Sequence, residues 1–361
     1  MRIGIFEWVC GGGQAHVPID QIPKSLRAEG MAMLASILQD LTLVPDIEVS
    51  GPADRRLLGT GGPFGRLQSL DPGLPCLDQW TRLASNCDAV ILIAPELDGQ
   101  LIQAAARLRE TGSLVLTPDA QFLQAASDKW ACHQAWSCDQ LRTPWTCRAE
   151  DWMANQHYWI PNHQGWVVKP RDGAGCQGIA WYPDHGQATL AIGDLVLEDR
   201  SNLLVQSMVP GRSASVVVLA GPKDLVALPP CHQDVVRVKS ADLACDRFEY
   251  RGGSCPWLEH QSAIQRAAIQ WTRALPGKPL GWIGLDLVWH HAAGAVAIEV
   301  NPRWTTSYLG LRQIAQSNLA WDCIQIALGQ RVEPDFDLKK RVAFSVHGTS
   351  YELDSGMHQR P

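Results

Sequence analysis

The residue types best suited to chemistry cluster between Trp282 and Arg303. Two apolar stretches, 282–289 and 295–301, flank residues 290–294 and read as a β-hairpin. A turn centred between Ala292 and Ala293 sets Asp286 opposite Glu299. Directly opposed carboxylates sit roughly 5 Å apart and destabilise the pair unless something positive lies between them. A divalent cation would neutralise both. Asn301 projects on the same face as Glu299, because side chains alternate along a strand, and adds a neutral oxygen. Three hard oxygen donors favour magnesium or manganese, with positions left for water and phosphate. The competing reading is an exposed hairpin face whose charges meet solvent. Arg303, just past Pro302, brings a guanidinium whose fork suits phosphate or carboxylate oxygens. A salt bridge to one of the cluster carboxylates is the alternative use.

Residues 165–179 hold a second signal, a strand ending in Lys169 followed by Gly173, Gly175 and Gly178. Glycines let backbone N–H groups approach phosphates, and the lysine adds a point charge. The run is not a P-loop, for no Gly-Lys-Ser/Thr closes it, and no obvious helix follows to make a dinucleotide fingerprint. A glycine-rich hairpin turn is the plain alternative. Cys176 reads as a small loop residue, since no activating partner is identifiable.

Such groups need rigid elements to hold them. Residues 2–6 form an apolar strand that feeds Glu7 and then Gly11, Gly12 and Gly13. Apolar residues at helical spacing over 25–43, a strand at 46–50, a helix over 76–87, a fully apolar strand at 88–94, a helix over 97–111 closed by Gly112 and a strand at 113–117 follow. This β-α alternation predicts a doubly wound parallel sheet, an α/β fold, over about residues 1–120. The alternation then stops. One helix is expected from Asp119 through about Gln140, then strands at 165–169, 179–182, 203–206, 214–219 and 225–228, a helix over 261–274 and the acidic hairpin. That second part reads as α+β. Past Gly329 the chain is charged and patchy, with one more strand expected at 341–346 and a polar tail expected to be poorly ordered.

Composition sets outer limits. The 361 residues are 46% hydrophobic, enough for two or three domains with a sizeable core. A net charge of −6, with no cluster of Lys or Arg, gives no electrostatic support for a nucleic-acid or anionic-membrane surface. The apolar runs are too short to span a bilayer and the N-terminus has no basic region or cleavage site, so a cytoplasmic protein is expected. The 11 cysteines form no C-x-x-C, which argues against a disulfide framework or a zinc ribbon. Cys132-His133 and Cys231-His232 are neighbours, but adjacent side chains point in different directions.

Taken together, Lys129 in Ser127-Asp128-Lys129, Lys169 before its glycine-rich loop, strand 203–206 running into Ser207-Met208-Val209-Pro210-Gly211, and Asp286 with Glu299-Val300-Asn301-Pro302-Arg303 resemble the ATP-grasp superfamily in content and order. The resemblance covers about residues 120–328, and the first section is similar to the domain that precedes the grasp. It implies a pre-ATP-grasp domain at 1–120, a small subdomain with the flap at 121–205, a metal-binding and catalytic subdomain at 206–330 and an extension at 331–361. It implies further that Lys129 and Lys169 contact nucleotide phosphates, that 173–178 form a mobile flap, and that Gln206 with the backbone of Ser207, Met208 and Val209 holds adenine. Asp286, Glu299 and Asn301 would bind one or two Mg2+ (or Mn2+) beside ATP, and Arg303 would brace the transferring phosphoryl group. Ser213 stands where many members have a ribose-binding glutamate. Arg237 and Lys239 are loose matches to another cationic phosphate ligand.

Residues 6–13 and 93–99 are similar to the tyramine–glutamate ligase subgroup of methanofuran synthesis, which implies small-molecule amino-acid and amine substrates and no nucleic-acid or membrane partner. Glu7, Gly11, Gly12, Gly13 and Glu96 would then touch substrate, Glu96 pairing with an ammonium. Glu7 as a rim charge and Glu96 as a carboxylate at a helix N-terminus are the alternatives. The implied reaction is an ATP-dependent carboxylate–amine ligation through an acyl phosphate, by a monomer or homodimer. A non-catalytic ATP-binding regulatory module would lack a metal ligand or the arginine, and both are kept. A dehydrogenase would need Gly-x-Gly-x-x-Gly, which Gly11-Gly12-Gly13-Gln14-Ala15 does not supply.

Overall fold

The computed structural model describes residues 1–59, 61–154, 164–173, 175–239 and 245–353. Its first section contains β1 (Arg2–Glu7), α1 (Lys24–Thr42), β2 (Glu48–Ser50), a small ladder of β3 (Pro52–Ala53) with β4 (Gln68–Ser69), α2 (Cys76–Ala84), β5 (Ala89–Ile93), α3 (Gln100–Arg109) and β6 (Leu114–Val115). The main sheet is parallel, in the order β2-β1-β5-β6. Alternation along its strands explains why both faces are covered. Ile3, Ile5, Ala89 and Ile91 pack with Met33, Leu34, Ile37 and Leu41 of α1, while Phe6, Val90 and Leu92 pack with Trp80 of α2 and Leu101, Ala104 and Leu108 of α3. Expected helix 97–111 begins instead as a single 3-10 turn, because Asp98 and Gly99 adopt φ of +52° and +67°.

The second section runs α4 (Ala120–Ala126), α5 (Lys129–Cys138), β7 (Thr146–Arg148), α6 (Ala149–Ala154), β8 (Trp166–Pro170), β9 (Ala180–Tyr182), α7 (His185–Gly193), α8 (Leu197–Ser201), β10 (Leu203–Ser207), β11 (Arg212–Ala220) and β12 (Leu225–Ala227). It continues with β13 (Cys231–Lys239), β14 (Asp246–Cys255), α9 (Gln261–Ala274), β15 (Gly281–His290), β16 (Gly294–Asn301), α10 (Ser307–Ile314), α11 (Leu319–Ala327), β17 (Val342–Ser345) and β18 (Ser350–Glu352). Its antiparallel sheet follows the order β16-β15-β11-β13-β14-β9-β8-β10-β7, with β12, β17 and β18 attached at the side. β11 separates two cores. Ala214, Val216 and Val218 face α5 and α9 through Trp136, Ile264 and Trp271, and Val217 and Leu219 face α10 and α11 through Tyr308, Leu311 and Ile324. Trp152, Trp166 and Ile192 fill a third core under β7, β8 and β10.

Three sequence expectations change here. The single helix expected from Asp119 to Gln140 is two, α4 and α5. Asp119 caps the first by accepting from the Phe122 N–H, and Asp128 caps the second by accepting from the Trp130 N–H, each at 2.9 Å. Strands β13 and β14 were not expected at all. The hairpin turn is centred on Ala292 rather than between Ala292 and Ala293, as His290 pairs with Gly294, and a bulge at Ile298 restores the expected pairing of Asp286 with Glu299. The strand expected at 341–346 is β17, in register with β14. The polar tail at 354–361 lies outside the described residues. No described helix is long and apolar enough to cross a membrane.

Candidate functional site

One cavity opens where β8 and β10 face β11, β13, β15 and β16. Asp286 and Glu299 meet there as a cross-strand pair. Asn301 donates to Asp286 Oδ2 at 3.0 Å, and Gln233 of β13 donates to Oδ1 at 2.7 Å. Lys129 is the first residue of α5. Its N–H donates to Arg171 O at 2.9 Å, just past the end of β8, while its ammonium lies 3.5 Å from Glu299 and 3.0 Å from Gly173 O. Lys169, in β8, is buried at 2% exposure and lines the same cavity.

The electrostatics follow from this crowding. Burial pulls Lys169 down to about 8, against the opposing field of Glu299. Burial works against the Glu299 carboxylate too, but Lys129 and Lys169 outweigh it and hold Glu299 below its usual range. Asp286 is pushed the other way, first by burial and then by the charge of Glu299. Gln233 and Asn301, which donate to it, are neutral amides, and it forms no ion pair among the described residues.

At the opposite end, Gln206 is buried and donates to Thr146 Oγ1 at 2.9 Å. Ser207 N–H donates to Trp145 O and Met208 N–H to Gly165 O, leaving Val209 N–H as the donor of that segment with no acceptor among the described residues. Gly211 lets this chain pass the hairpin closely, since a Cβ there would lie 2.3 Å from Trp289 O. Gly173, Gly175 and Gly178 have φ of +95°, +70° and +72°, a tight run in the left-handed region. Gly175 and Cys176 line the cavity beside Ser213.

A model described as an ATP-grasp domain matches residues 126–307, and one described as a pre ATP-grasp 3 domain matches residues 47–121. This chain belongs to the ATP-grasp family. No curated protein matches it. Among solved structures, an ATP-grasp superfamily protein from Archaeoglobus fulgidus is 18% identical at a TM-score of 0.66, covering 95% of this chain and 92% of that one. An N5-carboxyaminoimidazole synthetase from Staphylococcus aureus, complexed with ADP, gives 12% and 0.65 over 95% and 81%. An L-amino acid ligase from Bacillus licheniformis gives 14% and 0.63 over 95% and 78%.

The donor set of this ATP-grasp chain fits a nucleotide-bound divalent cation. Two carboxylates and a carboxamide converge, one of the carboxylates forms no ion pair among the described residues, and Lys129 and Lys169 stand close by. Among the described residues no group of three or more His, Cys, Asp or Glu forms a metal site, so the remaining positions would fall to phosphate and water. The eleven cysteines are free thiols.

Arg303 does not pair with a cluster carboxylate. It reaches Glu96 of the first section, whose carboxylate lies 3.0 Å from Nε. Burial opposes its charge, but Glu96 and Glu29 overcome that and hold it firmly protonated. The other expected substrate residues sit apart from the cavity. Glu7 accepts from the Cys10 N–H at 2.6 Å, and burial pushes it up to about 7. Gly11 accepts from Trp80 Nε1, Gly13 packs on Trp8, and Gly12 packs on Leu70. Arg237 lies over Trp181, 3.9 Å from its centroid, and pairs with Asp246. Residues that sequence reasoning missed are Gln233, Tyr250 and Glu29, all in the cavity wall. Gln233 and Tyr250 lie on the two unexpected strands, and Glu29 sits on an amphipathic helix whose spacing signals only a buried face.

Proposed function

We propose that the chain is an ATP-dependent carboxylate–amine ligase working through an acyl phosphate. The observation that carries this is the convergence of Lys129, Lys169, Asp286, Glu299, Asn301 and Arg303 at one end of a cavity whose other end is lined by Gln206, Met208 and Val209. Lys129 and Lys169 hold the triphosphate. Asp286, Glu299 and Asn301 would hold Mg2+, which supplies charge neutralisation on the phosphate oxygens when bound. Arg303, fixed by Glu96, orients the γ-phosphoryl group and the substrate carboxylate. A carboxylate oxygen attacks the γ-phosphorus and the bond to the bridging oxygen breaks, releasing ADP. The amine then attacks the acyl carbon, phosphate leaves, and the nitrogen loses a proton. No enzyme nucleophile is needed, because positioning and charge stabilisation carry the phosphoryl step. Closing of the 173–178 loop would keep water from the acyl phosphate.

Replacing Glu299 or Arg303 with alanine is expected to cut amine-dependent ADP formation by about 100-fold or more. Turnover like the wild type in either variant refutes the assignment. For substrates, we favour glutamate as acyl donor and tyramine or a related amine as acceptor, in a methanofuran-type cofactor pathway. Residues 6–13 and 93–99 support that choice by resemblance. The structural likeness to an L-amino acid ligase supports a second reading, another amino-acid or peptide ligase. Isotope-resolved product analysis with ATP, glutamate and a panel of amines separates the two.

A further inference from the structure

Of the carboxylates in the first section, Glu29 lines the cavity and Glu96 reaches the arginine that lines it. Glu96 takes Arg303 at 3.0 Å. Glu7 is satisfied from behind by the Cys10 N–H and lies outside the cavity wall. Glu29 is different. It projects from the first turns of α1 into the cavity, within the fields of Arg303 and Tyr250, and forms no ion pair or side-chain hydrogen bond among the described residues. The same cavity wall carries the Tyr250 hydroxyl, shared with Thr306 at 2.9 Å, the hydroxyls of Thr305 and Ser307, and the Arg303 guanidinium already paired with Glu96.

A half-buried carboxylate on a cavity wall, with no ion pair of its own among the described residues, is placed to take a cation from a ligand that fills the cavity. Burial pushes Glu29 upward and Arg303 only partly offsets it. The metal cluster cannot serve, for it belongs to Asp286 and Glu299, and the lysines are committed to Glu299 and the phosphate end. Glu96, which the resemblance offered as the ammonium partner, pairs with Arg303 and does not line the cavity.

We infer that Glu29 is the residue that recognises a substrate ammonium, so that the non-nucleotide half of the cavity takes an amino acid by its charged amine while its carboxylate meets Arg303. This rests on the ligase reading above and assigns its donor to the α-amino acids, as against simple carboxylic acids. Glu29 is a specificity residue; it takes no part in bond making.

The test is calorimetric binding to protein saturated with Mg2+ and AMP-PNP. Each proteinogenic amino acid is compared with the carboxylic acid lacking its amine, L-glutamate with glutarate being one pair. For at least one pair, the amino acid is expected to bind about tenfold or more tightly than its counterpart. Glu29→Gln should erase that gap by weakening the amino acid alone, and Glu29→Asp should restore part of it. Melting temperatures without ligand separate a folding defect from lost recognition. A gap that persists in Glu29→Gln, the absence of a gap in the wild type, or no amino acid binding at all overturns the proposal. Failure of AMP-PNP itself to bind would instead overturn the ligase reading, and the two failures are therefore distinct.

Discussion

Lys169 is where burial and charge oppose each other most directly. A lysine that releases its proton near pH 8 in the free protein, against a usual value of 10.5, must be recharged when a triphosphate arrives. Below about pH 8 the Lys169 side chain is already protonated and takes up no proton on binding. As pH rises through 8 toward 10.5, the fraction needing a proton grows, so AMP-PNP binding should take up as much as one proton and its affinity should fall. Calorimetry at pH 9 in buffers of different ionisation enthalpy measures the uptake. Lys169→Met should abolish it, and an uptake unchanged in that variant would show that another group titrates. Residue types made part of this legible in advance, because a lysine at the end of an apolar strand before glycines has few structural uses. The pairing of Arg303 with Glu96 was not legible, since the partners are 207 residues apart and nothing local to either strand signals the other.

At the scale of elements, one short break decides where Lys129 sits. Helical periodicity runs almost unbroken from Asp119 to Gln140, yet Ser127 and Asp128 interrupt it, and the interruption makes Lys129 the first residue of α5. Asp128 does two jobs there, capping the Trp130 N–H and pairing with Arg171 at 2.5 Å. Asp128→Ala should lower stability by about 1–2 kcal/mol through the lost cap. It should also raise the KM for ATP several-fold, because Arg171 O is what receives the Lys129 N–H. Denaturant melts and steady-state kinetics check the two effects separately; a stability loss with unchanged KM would mean the lysine is positioned from elsewhere. The hairpin teaches a related lesson. Alternation in its two apolar strands was readable and set Asp286 against Glu299, but the bulge at Ile298 that keeps them opposed was not, as a bulge leaves no mark on an apolar run. β13 and β14 escaped for the converse reason. Much of their length lies over the cavity or in solvent, with Gly252 and Gly253 together in β14, so no clean period of two was available to read.

Across the whole molecule, the candidate site depends on the two sections holding their relative position, for Glu29 of α1 and Glu96 just past β5 come from one and Asp286, Glu299 and Arg303 from the other. α1 provides the joint. Its inner face packs on β1 and β2, and α10 and α11 press against it from the second section, within one continuous core. At that seam the Asp40 carboxylate accepts from Arg312 Nε at 2.8 Å and from the Tyr308 hydroxyl, while Asp40 O accepts from Asn318. A shared core of this kind should melt as one unit, so calorimetry should find a single transition whose van't Hoff and calorimetric enthalpies agree. Asp40→Ala leaves Arg312 and Tyr308 buried without their acceptor and should cost about 3 kcal/mol, seen as a lower melting temperature. Because the apolar seam survives, that loss should still come as one transition. Two separable transitions in the wild type would mean that the sheets fold independently, and the contact of Arg303 with Glu96 would then depend on ligand binding to bring it about.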